Sequence, residues 1–292
     1  MSKPLITDLN IPLFSFEECI WYIDRGFYDC LHIRTGNAIE KAISTDDGRS
    51  TTFTLEGHGN HLSIICEPEY RQEVLDYVSI WLDLNREMGS FESLASEEPK
   101  FMALYKAYRG LRLIRIPDLF EALAWSIIGQ QINLNFAYQL KSRLVSKYGF
   151  QADNGVYIFP DPGTIAELQP AELKKLQFSQ RKAEYLIGIA NAMATGQLSR
   201  EKLMKLKSVE AKCNTLISYR GIGPWSANYV LMRAIGCTNV IPHGDAGMIN
   251  AYKKIFGLSQ KPDNQEIITY LSHFPGWQSY VVLYWWRSLS DK

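Results

Sequence analysis

The 292-residue chain lacks most of the marks by which a composition declares its class. It has no surplus of charge, 31 Lys+Arg standing against 31 Asp+Glu. Phosphate affinity comes mainly from Lys and Arg, so that zero, at face value, argues against a nucleic-acid binder. Its longest apolar runs, such as Val281–Trp286, are far too short to span a bilayer, which excludes a membrane helix. The start, Met1-Ser2-Lys3-Pro4-Leu5-Ile6-Thr7-Asp8, has no apolar stretch of the secretory kind, so a signal peptide is not expected and a cytoplasmic location is. The five cysteines, Cys19, Cys30, Cys66, Cys213 and Cys237, are odd in number, scattered and free of any C-x-x-C. That fits a reduced protein and argues against structural zinc or a ferredoxin-like cluster. The five histidines show no ligand spacing either. No internal repeat and no low-complexity tract is present.

What is there begins with a division hidden inside the zero. Residues 1–110 hold 10 Lys+Arg and 18 Asp+Glu, a net of −8, whereas residues 111–292 hold 21 and 13, a net of +8. Such asymmetry points to an acidic domain joined to a basic one. With 46% hydrophobic and 21% charged residues, the chain can bury a real core.

The first part reads as strands at Phe27–Arg34, Ala38–Ser44, Thr51–Glu56 and His61–Glu67, short segments rich in β-branched or aromatic residues. They are separated by Thr35-Gly36-Asn37, Asp46-Asp47-Gly48-Arg49 and Gly57-His58-Gly59-Asn60, all turn chemistry. Helices are expected at Phe16–Arg25 and Tyr70–Leu84, so residues 1–110 form an antiparallel α+β lobe. From about residue 100 the pattern becomes helical. Leu119, Phe120, Leu123, Ala124, Ile127 and Ile128 share one helix face, and Asn135–Tyr148, stopped by Gly149, follows. Ser179–Met193 with Ser179 as its cap, Val209–Tyr219, Pro224–Ile235, Asp245–Phe256, Asn264–His273 and Trp277–Leu289 complete a mostly α-helical domain over 111–292.

Two features of this half carry chemistry. Arg220-Gly221-Ile222-Gly223-Pro224-Trp225-Ser226 is a helix end, a Gly-Ile-Gly turn and a new helix with proline first. Two glycines permit positive φ and close approach by another molecule. The N–H groups of the turn and the next helix then form an anion site suited to phosphate. A plain tight turn between two helices fits those residues about equally well. Downstream, Pro242-His243-Gly244-Asp245 places a lone carboxylate at a helix start, where capping is the default role. Beside a phosphate-gripping hairpin, however, a carboxylate would repel the DNA backbone. It makes sense if positive charge develops there during a reaction.

These residues carry a resemblance. Gly221-Ile222-Gly223-Pro224-Trp225-Ser226-Ala227-Asn228-Tyr229, followed by Pro242 and Asp245, resembles the helix-hairpin-helix and aspartate motif of DNA glycosylases. Phe120 through Gln131, and Ser179 through Glu184, are similar to the same superfamily, and within it to the bacterial 3-methyladenine DNA glycosylase II family. The resemblance runs from about Phe14 to the C-terminal end. It implies a TATA-binding-protein-like N-terminal lobe, a hairpin over about 209–236 and a catalytic aspartate loop over 237–248. It implies Asp245 as the catalytic residue, Trp225, Tyr229 and Trp286 as the base pocket, Gly221, Gly223 and Ser226 as contacts to the DNA backbone, and Gln131 as the intercalating wedge, where relatives often carry Leu. Capping the turn is the other reading of Gln130 and Gln131. Where strand-nicking relatives carry a Schiff-base Lys, this chain has Trp225, and no cysteine follows Cys237. The resemblance therefore implies a monofunctional enzyme without cofactor, metal or iron–sulfur cluster, although a monovalent cation at the hairpin is compatible with it. The implied partner is double-stranded DNA containing damaged bases, met by a monomer.

The chemistry fits one carboxylate. Breaking an N-glycosidic bond passes through an oxocarbenium-like sugar, and glycosidases of free sugars use two carboxylates, one to protonate the leaving group. Alkylation at N3 or N7 of a purine already makes the base a cationic leaving group. Asp245 is the sole carboxylate between Glu210 and Asp263, and it can stabilise the sugar cation and activate water. An aromatic box would attract a cationic base by cation–π contact. Trp277, Tyr280 and Trp285 are read as core instead. Alternatives are a glycosylase for deaminated or other damaged bases, a non-catalytic helix-hairpin-helix DNA-binding protein, and a helical scaffold that binds protein.

Overall fold

The computed structural model describes residues 3–290. Alternation of apolar and polar residues builds the N-terminal sheet. In β4 (Ser50–His58) Thr51, Phe53 and Leu55 are buried, and in β5 (His61–Cys66) Leu62, Ile64 and Cys66 are. With β1 (Leu5–Asn10), β2 (Ile33–Thr35) and β3 (Ala38–Ser44) they form an antiparallel sheet in the order β1-β5-β4-β3-β2. β4 and β5 are in register from Phe53 opposite Cys66 to His58 opposite His61. α1 (Phe16–Ile23) is capped by Ser15, whose hydroxyl accepts from the Glu18 amide at 3.3 Å. It lies so close to the sheet that a Cβ on Gly57 would meet the Phe16 ring at 2.9 Å. After a single 3₁₀ turn (Pro68–Tyr70), α2 (Arg71–Trp81) sets Tyr77 and Trp81 against Phe53.

Three differences from the sequence reading stand out. The expected strand Phe27–Arg34 shrinks to β2, because its first half turns inward. Phe27 stacks on Tyr138 at 5.0 Å, and the Leu31 carbonyl accepts from the buried Lys41 ammonium at 3.0 Å. β1 was not expected. It is an edge strand with Leu5 and Ile6 exposed, so the alternation that marks a half-buried strand is absent from it. Two further helices, α3 (Gly89–Glu97) and α4 (Pro99–Ala107), fill the stretch before residue 110.

The helical part follows with α5 (Leu119–Ile128, capped by Asp118) and α6 (Leu134–Tyr148, capped by Asn133). A short hairpin, β6 (Phe150–Gln151) and β7 (Tyr157–Ile158), leads to α7 (Pro162–Ala166) and α8 (Pro170–Lys175). α9 (Gln180–Ala194) is capped by Ser179, as expected, and α10 (Arg200–Lys205) by Ser199. α11 (Val209–Ile217) and α12 (Pro224–Val230) make the helix-hairpin-helix, and α12 runs into one wider π-type turn at Leu231–Ile235 that Gly236 ends at φ 82°. α13 (Ala246–Phe256), α14 (Asn264–Leu271) and α15 (Gln278–Ser288) close the chain.

The two halves share one core. Phe91 of α3 stacks on Trp277 at 5.1 Å, Phe101 of α4 meets Phe274 at 4.8 Å, and Tyr105 stacks on Tyr284 at 5.7 Å. The buried Arg112 guanidinium donates to the Pro12 carbonyl at 2.7 Å and the Arg86 carbonyl at 2.8 Å, tying the lobe to the helices. Lys141, also buried, pairs with Asp29 of the lobe and Glu121 of α5, each at 3.0 Å. Removing one partner of such a cluster strands an uncompensated buried charge, at a cost of about 3–5 kcal/mol. Trp285 and Tyr280 are core residues, 1% and 0% exposed. Among the described residues no helix is long and apolar enough to cross a membrane, and no group of three or more His, Cys, Asp or Glu side chains could hold a metal ion.

Candidate active site

Asp245 sits where the sequence places it, at the N-cap of α13, and its Oδ1 accepts from the Met248 amide at 2.7 Å. Capping alone would leave the rest of the carboxylate to solvent. Instead the Trp286 indole N–H donates to Oδ1 at 2.8 Å, and the Trp225 indole N–H donates to Oδ2 at 3.2 Å. The half-buried carboxylate is thus gripped on both oxygens by donors from three helices, α12, α13 and α15. N–H groups carry no formal charge, so they fix the orientation of Asp245 without neutralising it. Crowding seals the arrangement: a Cβ on Gly247 would stand 3.1 Å from both Asp245 Oδ1 and the Trp286 ring. Asp245, Trp225 and Trp286 are therefore brought together.

Trp225, Tyr229 and Arg233 follow at one-turn intervals along α12 and its wide turn. Trp225 stacks on Tyr229 with centroids 5.4 Å apart, and Arg233 donates to the Tyr229 hydroxyl at 3.1 Å. Tyr229 is 6% exposed. Burial pushes its hydroxyl up to about 12, with Arg233 pulling the other way. Hemmed in by its two neighbours, Tyr229 backs Trp225 and offers little ring face of its own.

The hairpin keeps one of its two glycines for reasons inside the molecule. Gly221 has φ 96°, and a Cβ there would lie 2.4 Å from the Tyr185 ring carbon. Gly223 makes no use of the positive φ that a glycine permits. It is the N-cap of α12 at φ −90° with open space where a Cβ would stand. The first-turn N–H groups of Trp225 and Ser226 lack intrahelical partners by geometry, and they share the end of α12 with Gly223. The Ser226 side chain is 2% exposed, and its hydroxyl accepts from the Gln130 amide at 3.1 Å. Gln130 also donates to the Gly221 carbonyl at 2.9 Å. Gln130 thus braces the hairpin, whereas Gln131, next in sequence, is exposed at φ 57° in the loop between α5 and α6. For Gln130 the turn-bracing reading of the pair is the one observed.

The sequence reading missed Tyr185 and Arg233. Tyr185 and Arg233 act through contacts that only the tertiary fold creates.

An α+β lobe, a helical half, and a hairpin beside a gripped aspartate define the class of helix-hairpin-helix DNA repair proteins. The family model of the HhH-GPD superfamily base excision DNA repair proteins matches residues 124–275. The DNA-3-methyladenine glycosylase of Bacillus subtilis (strain 168) is 37% identical over 287 residues, 95% of this chain and 94% of that one. DNA-3-methyladenine glycosylase 2 of Escherichia coli (strain K12) is 32% identical over 179 residues, 61% of this chain and 60% of that one. The solved 3-methyladenine DNA glycosylase from Archaeoglobus fulgidus shares the fold, with TM-score 0.82 at 22% identity and 97% of each chain covered. The chain belongs to the HhH-GPD superfamily and, within it, to the 3-methyladenine DNA glycosylase family.

Proposed function

We propose that this chain is a monofunctional DNA glycosylase that releases alkylated purines from duplex DNA by Asp245-assisted hydrolysis. The observation that carries the reading is the carboxylate held on both oxygens by two indole N–H groups and a helix amide. A carboxylate so fixed is preorganised to face positive charge at the sugar. As the N-glycosidic bond breaks, its electron pair leaves with the base, and the cationic charge of an alkylated purine is neutralised in doing so. Asp245 stabilises the oxocarbenium that remains, orients a water toward the anomeric carbon and accepts its proton. No second carboxylate is needed, because the leaving base needs no proton.

Gly221, Gly223 and Ser226 fit a backbone grip through main-chain N–H groups, and the open space at Gly223 leaves room for a phosphate. Gln131, exposed in the loop after α5, would fill the stack an extruded base vacates, at an extrusion cost of about a few kcal/mol. Trp225 and Trp286 supply both the carboxylate grip and aromatic surface for a cationic base. The reading includes no Schiff-base step, since the residue after Pro224 is Trp225. It also includes no cofactor, and it has the protein acting as a monomer. The test is base release from methylated duplex DNA. The expected result is free 3-methyladenine with the strand intact until alkali cleaves the abasic site. Strand breakage without alkali would contradict monofunctionality, and absence of any released base would contradict the function.

A further inference from the structure

The loop between α5 and α6, residues 129–133, holds a backbone shape that its own sequence does not favour. Gln131 stands there exposed at φ 57°, in the left-handed region that a residue with a Cβ rarely adopts. Such a residue keeps its conformation only where the structure around it over-determines it. Two side chains hold this loop. Gln130 reaches across to the hairpin and donates to the Gly221 carbonyl at 2.9 Å and the Ser226 hydroxyl at 3.1 Å. Lys182 of α9 reaches the end of α5, where its ammonium donates to the Ile128 carbonyl at 2.6 Å. Ile128 is the last residue of α5, so that carbonyl has no partner within its helix.

Lys182 is costly to place there. It is half-buried, no carboxylate among the described residues pairs with it, and burial pushes its pKa down. A surface lysine would keep its ammonium in water, whereas this one gives up part of its hydration for a single carbonyl. The same helix serves the hairpin. Tyr185, three residues after Lys182, lies so close to Gly221 that a Cβ on that glycine would meet its ring at 2.4 Å. Arg220, before the turn, lies 5.5 Å from the Tyr185 ring centroid and pairs with Glu184 at 3.4 Å. α9 thus supports both the loop and the hairpin, and Gln130 bridges the two directly.

Resting on the reading of Gln131 as the wedge, we propose that Lys182 and Gln130 are positioning residues that lock the wedge loop to the hairpin. They fix the distance between the main-chain grip on the DNA backbone and the side chain that enters the stack. A loose loop would have to be ordered as Gln131 inserts, and that lost entropy would count against extrusion. A loop already locked inserts without it. The two side chains therefore act on the step after binding, and duplex affinity, set at the hairpin, depends on them little.

The test is a double-mutant cycle read by single-turnover release of 7-methylguanine from a defined duplex at saturating enzyme. Duplex affinity at several salt concentrations and thermal melts are measured beside it. Lys182→Met and Gln131→Ala should each slow release by about 10-fold, as for loss of a charged hydrogen bond, with affinity little changed. The variant carrying both should be little slower than Gln131→Ala alone, because the lysine acts through the wedge. Gln130→Met should follow the same pattern, and its cycle decides if Lys182→Met melts below the assay temperature. Lys182→Arg keeps a cationic donor and should recover most of the rate. Losses that multiply to about 100-fold in the double variant would mean independent roles and overturn the inference. So would Lys182→Met and Gln130→Met proteins at the wild-type rate beside a slow Gln131→Ala, and the wedge would then stand without its locks. A salt slope shallower by about one in Lys182→Met would assign the ammonium to a phosphate and overturn its positioning role. Gln131→Ala at the wild-type rate would overturn the wedge reading and the inference together. No release by wild type would remove the glycosylase reading beneath both.

Discussion

Asp245 was legible as a residue from its neighbours in sequence alone: a lone carboxylate at a helix start beyond a Gly-Ile-Gly turn. Its two indole partners were named as candidates, but for their ring faces and not for their N–H groups. Which edge a tryptophan presents depends on where α15 lands, and Trp286 lies 41 residues along the chain from the oxygen it serves. The two uses of the rings separate by experiment. Trp286→Phe and Trp225→Phe keep an aromatic face and remove a donor, so each should lower single-turnover release by about 10-fold with DNA affinity little changed. Rates at the wild-type level would mean that the rings act by stacking alone. A second residue-scale outcome concerns Asp29. Burial pushes its carboxyl up, but Lys141 beside it and the other partners pull harder, and it settles at about 2. Folded, it binds a proton less readily than unfolded, so its stabilisation of about 2 kcal/mol is complete above about pH 4 and is lost as the pH falls toward 2. Asp29→Asn should therefore lower the melting temperature at pH 7, and the gap to wild type should narrow between pH 4 and 2. A gap independent of pH would contradict the pairing with Lys141.

At the scale of elements, legibility followed the strength of the local pattern. β3, β4, β5 and the helices capped by Ser15, Asp118 and Ser179 announce themselves through alternation or caps. β1 does not, because an edge strand with Leu5 and Ile6 exposed owes its existence to the neighbour it pairs with. The segment Phe27–Arg34 has strand-like composition, yet its aromatic residue is drawn toward Tyr138, and packing overrides propensity. The hairpin yields the sharpest element-scale contrast. Gly221→Ala meets both positive φ and the Tyr185 ring, so it should destabilise the fold by about 1–3 kcal/mol, read as a lower melting temperature. Gly223→Ala has room within the protein and should melt like wild type. Its added methyl would stand where a phosphate approaches, so duplex affinity should fall. Unchanged affinity would remove Gly223 from the backbone grip.

For the whole molecule the formal neutrality of the sequence is an average over unlike parts, −8 for residues 1–110 and +8 for residues 111–292. The hairpin and Asp245 both lie in the positive part, although α3 and α4, from the negative stretch, pack onto α15 beside them. Such packing was beyond the reach of a charge count, since no local signal tells a helix which half of a protein it will join. Because main-chain N–H groups at the hairpin, rather than a field of lysines, make the expected grip, log Kd should change only shallowly with log salt, with about two to four phosphates neutralised. A slope of about eight or more would mean that a basic face dominates binding.

If a single gripped carboxylate performs the hydrolysis, single-turnover release of an alkylated purine by wild type and Asp245→Asn will show it. Asparagine is as good an N-cap, so fold and duplex affinity should survive. The rate should fall by about 100-fold or more. An Asp245→Asn protein that releases the base at close to the wild-type rate would rule Asp245 out as the hydrolytic group.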